Sequence, residues 1–117
     1  MDGGGIKGNL TPIYQTALTT DGAYHDLDLS SRVPATATAV VLRVMIKDDE
    51  PGTTISIRNN AGYAHKDHSF PLICNAPVSG LYGYASGIVG CDGQSVEYMT
   101  TNTTITTIQI LVVGYFT

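Results

Sequence analysis

The side chains with most chemical potential crowd into one short stretch, His65-Lys66-Asp67-His68-Ser69. Imidazole nitrogens and a carboxylate are metal ligands, and in extended backbone His65 and Asp67, two positions apart, point to the same side. Two or three such groups leave a site incomplete unless copies of the chain meet on a symmetry axis. The stretch therefore reads as a polar loop with no metal, and His65, Asp67 and His68 are the candidates should one bind. Ser69, His68 and Asp67 also supply a nucleophile, a base and an acid, but neighbours in extended backbone alternate faces and cannot form a triad among themselves. Asp26 and Asp28 suggest the paired carboxylates of glycoside hydrolysis, yet acidic residues at every second position also mark the wet face of a strand. No Gly-x-Ser-x-Gly elbow, phosphate-binding glycine loop or dinucleotide fingerprint occurs. The expectation is a protein that is not an enzyme, with no cofactor.

The tyrosines come next. There are seven and no tryptophan, and Tyr63, Tyr82 and Tyr84 fall in or beside Gly-rich, irregular segments. A ring there can stack on a sugar or join an interface, or pack in the core with its hydroxyl at the surface. Cys74 and Cys91 are too few for a disulfide scaffold or a four-ligand zinc site and read as small buried hydrophobes. A bridge between them requires a fold that brings their strands together. Asn9-Leu10-Thr11 and Asn102-Thr103-Thr104 match the glycosylation pattern, but Met1-Asp2-Gly3-Gly4-Gly5 shows no secretory signal to give that pattern meaning.

The elements that must position these residues are strands. Helical periodicity is almost absent, and alternating β-branched stretches recur between turn signals. Strands are expected over Pro12 to Thr19, Tyr24 to Leu29, Ala37 to Lys47, Thr54 to Arg58, Phe70 to Cys74, Leu81 to Gly90, Val96 to Met99 and Ile105 to Phe116. Leu27 and Leu29 face one way and Asp26 and Asp28 the other. Val40, Leu42, Val44 and Ile46 share a face with Val41 and Met45 opposite. Ile108, Ile110, Val112 and Gly114 share a face with Leu111, Val113 and Tyr115 opposite. Apolar residues on both faces make these two strands central, or covered by a neighbouring subunit. Pro71 favours an edge strand, and the glycines of Leu81 to Gly90 predict close backbone approach or bulges. About eight strands without helix predict an antiparallel two-sheet sandwich, most simply a jelly roll. An immunoglobulin-like sandwich is the alternative, weakened by the missing tryptophan and the close sequence spacing of the cysteines.

Composition narrows the partners. Charged residues form 14% of the 117 residues, against about 25% in an average domain, so Thr, Ser, Asn and Gly dominate the surface. The net charge of −4 is scattered, which argues against nucleic acid, and Asp48-Asp49-Glu50 before Pro51-Gly52 reads as a solvated turn. No stretch approaches the ~20 apolar residues of a membrane helix, so no membrane partner is expected. Residues 1–8, with Met1, Asp2, Gly3, Gly4, Gly5, Ile6 and Lys7, read as a flexible assembly arm, and residues 9–117 as one sandwich domain.

Three stretches carry a resemblance: Asp26-Leu27-Asp28-Leu29-Ser30-Ser31-Arg32-Val33-Pro34-Ala35-Thr36-Ala37, then Ala39-Val40-Val41-Leu42-Arg43-Val44, then Ile108-Gln109-Ile110-Leu111-Val112-Val113-Gly114-Tyr115-Phe116. Over roughly residues 24–117 this pattern resembles the small β-sandwich domains of bacteriophage virion proteins, found as capsid decoration, head-fibre and tail-fibre modules. The resemblance implies a virion part made in the host bacterial cytoplasm. The expectation that follows is an oligomeric capsid decoration or cement protein, a homo-oligomer and most simply a trimer, seated on the major capsid protein or another virion protein. The alternative is a carbohydrate- or receptor-binding module of a tail fibre or adhesin, holding a cell-surface glycan.

Overall fold

The computed structural model of the chain describes residues 11–60, 71–91 and 93–117. The expected arm and Tyr63, His65, Asp67 and His68 lie outside the described residues. Among the described residues eight strands form: β1 (Ile13–Tyr14), β2 (His25–Asp28), β3 (Ala39–Lys47), β4 (Thr54–Asn59), β5 (Leu72–Asn75), β6 (Gly83–Gly90), β7 (Ser95–Thr100) and β8 (Thr107–Phe116). They make two four-stranded antiparallel sheets, ordered β1-β8-β3-β6 and β2-β7-β4-β5. The pairing is nested, with β1 on β8, β2 on β7, β3 on β6 and β4 on β5.

Alternation along each strand builds the core between the sheets. Val40, Leu42, Val44 and Ile46 of β3 and Ile108, Ile110 and Val112 of β8 point inward and are buried. They meet Leu27, Ile55, Ile57, Val96 and Tyr98 from the other sheet. Each such aliphatic side chain contributes about 1.5–3 kcal/mol of gross transfer free energy. As expected, β3 and β8 are inner strands and β5, entered from Pro71, is an edge.

Three departures from the sequence reading, and one expectation met in β6, have definite causes in the packing. The stretch Pro12 to Thr19 is not one strand: β1 stops after Tyr14, and Gln15–Ala17 make a 3-10 turn. There the Gln15 side-chain carbonyl accepts the Ile108 N–H at 3.1 Å, in place of a further strand carbonyl. The register of β8 on β3 shifts between Val41 and Leu42, whose partners are Gly114 and Val112, so Val113 is an extra residue. This bulge puts Tyr115 opposite Val40 and against the core, not on the outer face with Leu111. In β6 the expected close approach occurs at Gly83, where a Cβ would stand 1.7 Å from the Asn75 carbonyl oxygen, closing the β5–β6 edge of the sandwich. Finally, Asp48 is no solvated turn residue, being 1% exposed. It accepts from the Thr53 hydroxyl at 2.7 Å, the Asp49 N–H at 2.9 Å and the Asn102 amide at 3.0 Å, tying the β3–β4 loop to the β7–β8 loop.

Candidate interaction face

The two sheets turn very different outer faces to solvent. Across β2-β7-β4 the outward residues are polar apart from Met99, which with Ile73 of β5 flanks Ser56, and Asp26, Glu97 and Arg58 stand in one cross-strand row. Arg58 donates from Nε to Glu97 at 2.8 Å, and its guanidinium lies 3.5 Å from the centre of the Tyr24 ring. The Tyr24 hydroxyl is 3.1 Å from that of Ser56. Asp28 accepts the Ser30 N–H at 2.8 Å, and that bond, with the Ser30 hydroxyl, holds its carboxyl below the usual range. Asp21 sits low as well, chiefly through its contact with the His25 ring and then through the Ala23 N–H. Asp26 and Asp28 thus form the wet face of β2, as their spacing predicted, while Leu27 between them is buried.

The outer face of β1-β8-β3-β6 is apolar. Register places Tyr14, Gln109, Met45 and Tyr84 in one row across all four strands. The next row holds Leu111, Arg43 and Ser86, and the third holds Gly114, Val41 and Ile88. Tyr84 is 71% exposed, Ile88 60% and Tyr14 44%. Single exposed hydrophobes are ordinary, but a contiguous apolar sheet face marks a contact surface. A groove of about 500 Å³ crosses it, lined by Pro12, Arg43, Met45, Tyr84, Ser86 and Leu111 among others. Arg43 is exposed at its centre and has no side-chain partner among the described residues.

The structure divides the residues singled out by sequence. Tyr84 stands on the apolar face. Tyr82 is half-buried just before β6, its ring 6.1 Å from that of Tyr84 and beneath the Lys47 ammonium at 5.0 Å. Tyr63 and the His65, Asp67, His68 cluster cannot be placed beside them, since they lie outside the described residues. Both cysteines are buried and outside any disulfide. The Cys74 thiol donates to the Gly83 carbonyl at 3.4 Å and Cys91 to that of Ala37 at 3.6 Å. Gly83 and Gly90 end the eight-residue β6, about 23 Å apart at strand rise, and Cys91 follows Gly90, so the thiols sit at opposite ends of a strand, beyond disulfide reach. Burial pushes the Cys74 thiol up to about 11. Asn102 gives its amide to Asp48 and to Glu50 at 2.9 Å. Arg43 has no functional role in the sequence reading. The signal was present, because alternation sets it with Val41 and Met45 on the face opposite the core.

Among the described residues no helix is long and apolar enough to cross a membrane, and no group of three or more His, Cys, Asp or Glu is placed to hold a metal ion. The fold is that of an all-β two-sheet sandwich. No family model, curated protein or solved structure matches the chain.

Proposed function

We propose that this chain is a non-enzymatic structural virion protein, an oligomeric capsid decoration or cement protein of a bacteriophage, that works by docking the outer face of its β1-β8-β3-β6 sheet. The observation that carries the reading is that face, with Tyr14, Met45, Tyr84, Leu111, Val41 and Ile88 turned away from the core. A sheet edge or face left this apolar is stabilised by a partner. The nested strand pairing supports a jelly roll over an immunoglobulin-like sandwich, and jelly rolls recur in viral capsid and lectin domains. Attachment then comes from many small burials at about 25 cal/mol per Å² of apolar area, reduced by the cost of association. Peptide mass spectrometry of virions purified from the host that carries the gene should find the chain at a copy number stoichiometric with the shell. Its absence from such virions would refute the virion assignment.

A second reading, a carbohydrate- or receptor-binding module, is favoured by the groove, where the Tyr84 ring stands beside Arg43, Ser86 and Gln109. Aromatic rings with a few convergent polar groups suit a sugar. A glycan array decides between the two, since saturable binding abolished by Tyr84→Ala would favour this reading.

A further inference from the structure

We propose that the apolar face of one protomer takes the β1–β2 edge of a second copy, with Arg43 of the first paired to Asp26 of the second. The proposal rests on the assembly reading above and gives it a geometry. Area comes first. Three strands of eight to ten residues, about 4.8 Å apart and rising about 3.3 Å per residue, with the two residues of β1 beside them, make a face of about 450 Å² in plan. Standard interfaces bury about 800 Å² of accessible surface per partner and weak ones below about 600 Å², so a corrugated face of this plan suits a concentration-dependent association.

Charge then selects the occupant. Arg43 is the charged side chain at the centre of the face, Lys47 one row beyond is a cation as well, and no carboxylate accompanies either in these rows. Two copies packed face on face would bury two guanidiniums without a counter-charge, an expensive arrangement wherever the two-fold axis falls. A copy that brings a carboxylate from another surface removes that penalty. Asp26 is such a group. It is exposed on the edge strand β2 and has no side-chain partner among the described residues. Its cross-strand neighbour is another carboxylate, Glu97, which Arg58 already occupies. Like charges directly opposite are unfavourable, so an arriving guanidinium stabilises the pair.

Shape agrees. The β5–β6 edge is shut by the contact at Gly83, whereas the β1–β2 edge carries a groove of about 450 Å³ lined by Pro12, Thr16, Asp26, Asp28 and Arg32 among others. Its two carboxylates outnumber its one guanidinium, and Arg32 is engaged with the Thr11 carbonyl and the Ser31 hydroxyl. In a two-layer sandwich an edge and a face stand roughly at right angles. Edge-on-face contacts therefore turn at each step and close into a small ring, while stacking opposite faces runs on as an open fibre.

Sedimentation velocity of the full chain from about 1 to about 100 µM tests this. Wild type should assemble, and Arg43→Glu and Asp26→Arg should each weaken assembly roughly tenfold or more, with the double charge swap Arg43→Glu/Asp26→Arg restoring it. Circular dichroism and melting confirm that each variant folds; Arg43→Gln and Asp26→Asn replace any that does not. Tyr84→Ser reports on the face without touching charge. Assembly weakened by Tyr84→Ser but indifferent to both charge changes would overturn the pairing and leave the assembly reading standing. Single variants that weaken it without rescue by the double swap would also overturn the pairing. A wild-type monomer throughout the concentration range would overturn both the pairing and self-assembly.

Discussion

Replacing Gly83 by Ala should destabilise the fold far more than the same change four positions on at Gly87. A Cβ at Gly83 would lie 1.7 Å from the Asn75 carbonyl oxygen, 2.8 Å from its carbon and 3.2 Å from Pro77 Cδ. The first two obstacles are backbone, so no rotamer change relieves them; β5 and β6 must part where the sheets join. That separation also disturbs Cys74, whose thiol bonds to the Gly83 and Val44 carbonyls. Overpacking typically costs about 1–3 kcal/mol, and a clash with backbone places Gly83→Ala at about 3 kcal/mol or above. At Gly87 the nearest atom is Leu72 Cδ1 at 3.1 Å, the end of a flexible, half-buried side chain, so a cost of about 1 kcal/mol or less is expected. For 117 residues, with an unfolding entropy of about 2.1 cal/mol/K per residue, the melting temperature falls by about 4 °C per kcal/mol. Calorimetry at one fixed protein concentration, which holds any assembly term constant, should show Gly83→Ala lowered by about 12 °C or more and Gly87→Ala by about 4 °C or less. A Gly83→Ala protein that melts within about 4 °C of wild type would mean that the close approach is not a constraint on the fold.

The remaining expectations concern groups whose surroundings are equally explicit. Burial pushes the Asp48 carboxyl upward, but hydrogen bonds from Thr53, Asn102 and the Asp49 and Thr106 N–H groups outweigh it and leave the group below its ordinary 3.8. Its stabilisation is therefore full above about pH 4 and is lost as acid protonates it, so denaturant midpoints should fall below pH 4 in wild type and less steeply in Asp48→Asn. Asp48→Ala, which removes a shared acceptor but leaves Thr53 the Glu50 carbonyl and Asn102 the Glu50 carboxylate, should cost about 1–3 kcal/mol in urea unfolding. The thiols of Cys74 and Cys91 should both be found free by mass spectrometry of non-reduced protein, with native Cys74 alkylated slowly at pH 8. Cys74→Ala and Cys91→Ala should each cost about 1–2 kcal/mol with the sedimentation profile unchanged. Arg58→Ala should cost about 1–2 kcal/mol, because it removes both the pair with Glu97, exposed on the arginine side, and the stacking on Tyr24, and salt should shrink the ion-pair part.

How far the sequence reaches follows from the range of each interaction. Alternation is local, so the inward rows Val40-Leu42-Val44-Ile46 and Ile108-Ile110-Val112, the wet Asp26 and Asp28, and the edge position of the Pro71 strand were all legible from neighbours two residues away. The same period also placed Arg43 beside Val41 and Met45 on an outward face. What alternation does not contain is which strand lies beside which. Only packing decided that β8 inserts between β1 and β3, that the Gln15 side chain cuts β1 short, and that the extra residue Val113 rotates Tyr115 from the outer face to the core. The same holds for Asp48, whose charged neighbours signalled a wet turn. Its burial depends on Asn102, 54 positions away in sequence, because a carboxylate leaves water only where distant donors replace its hydration.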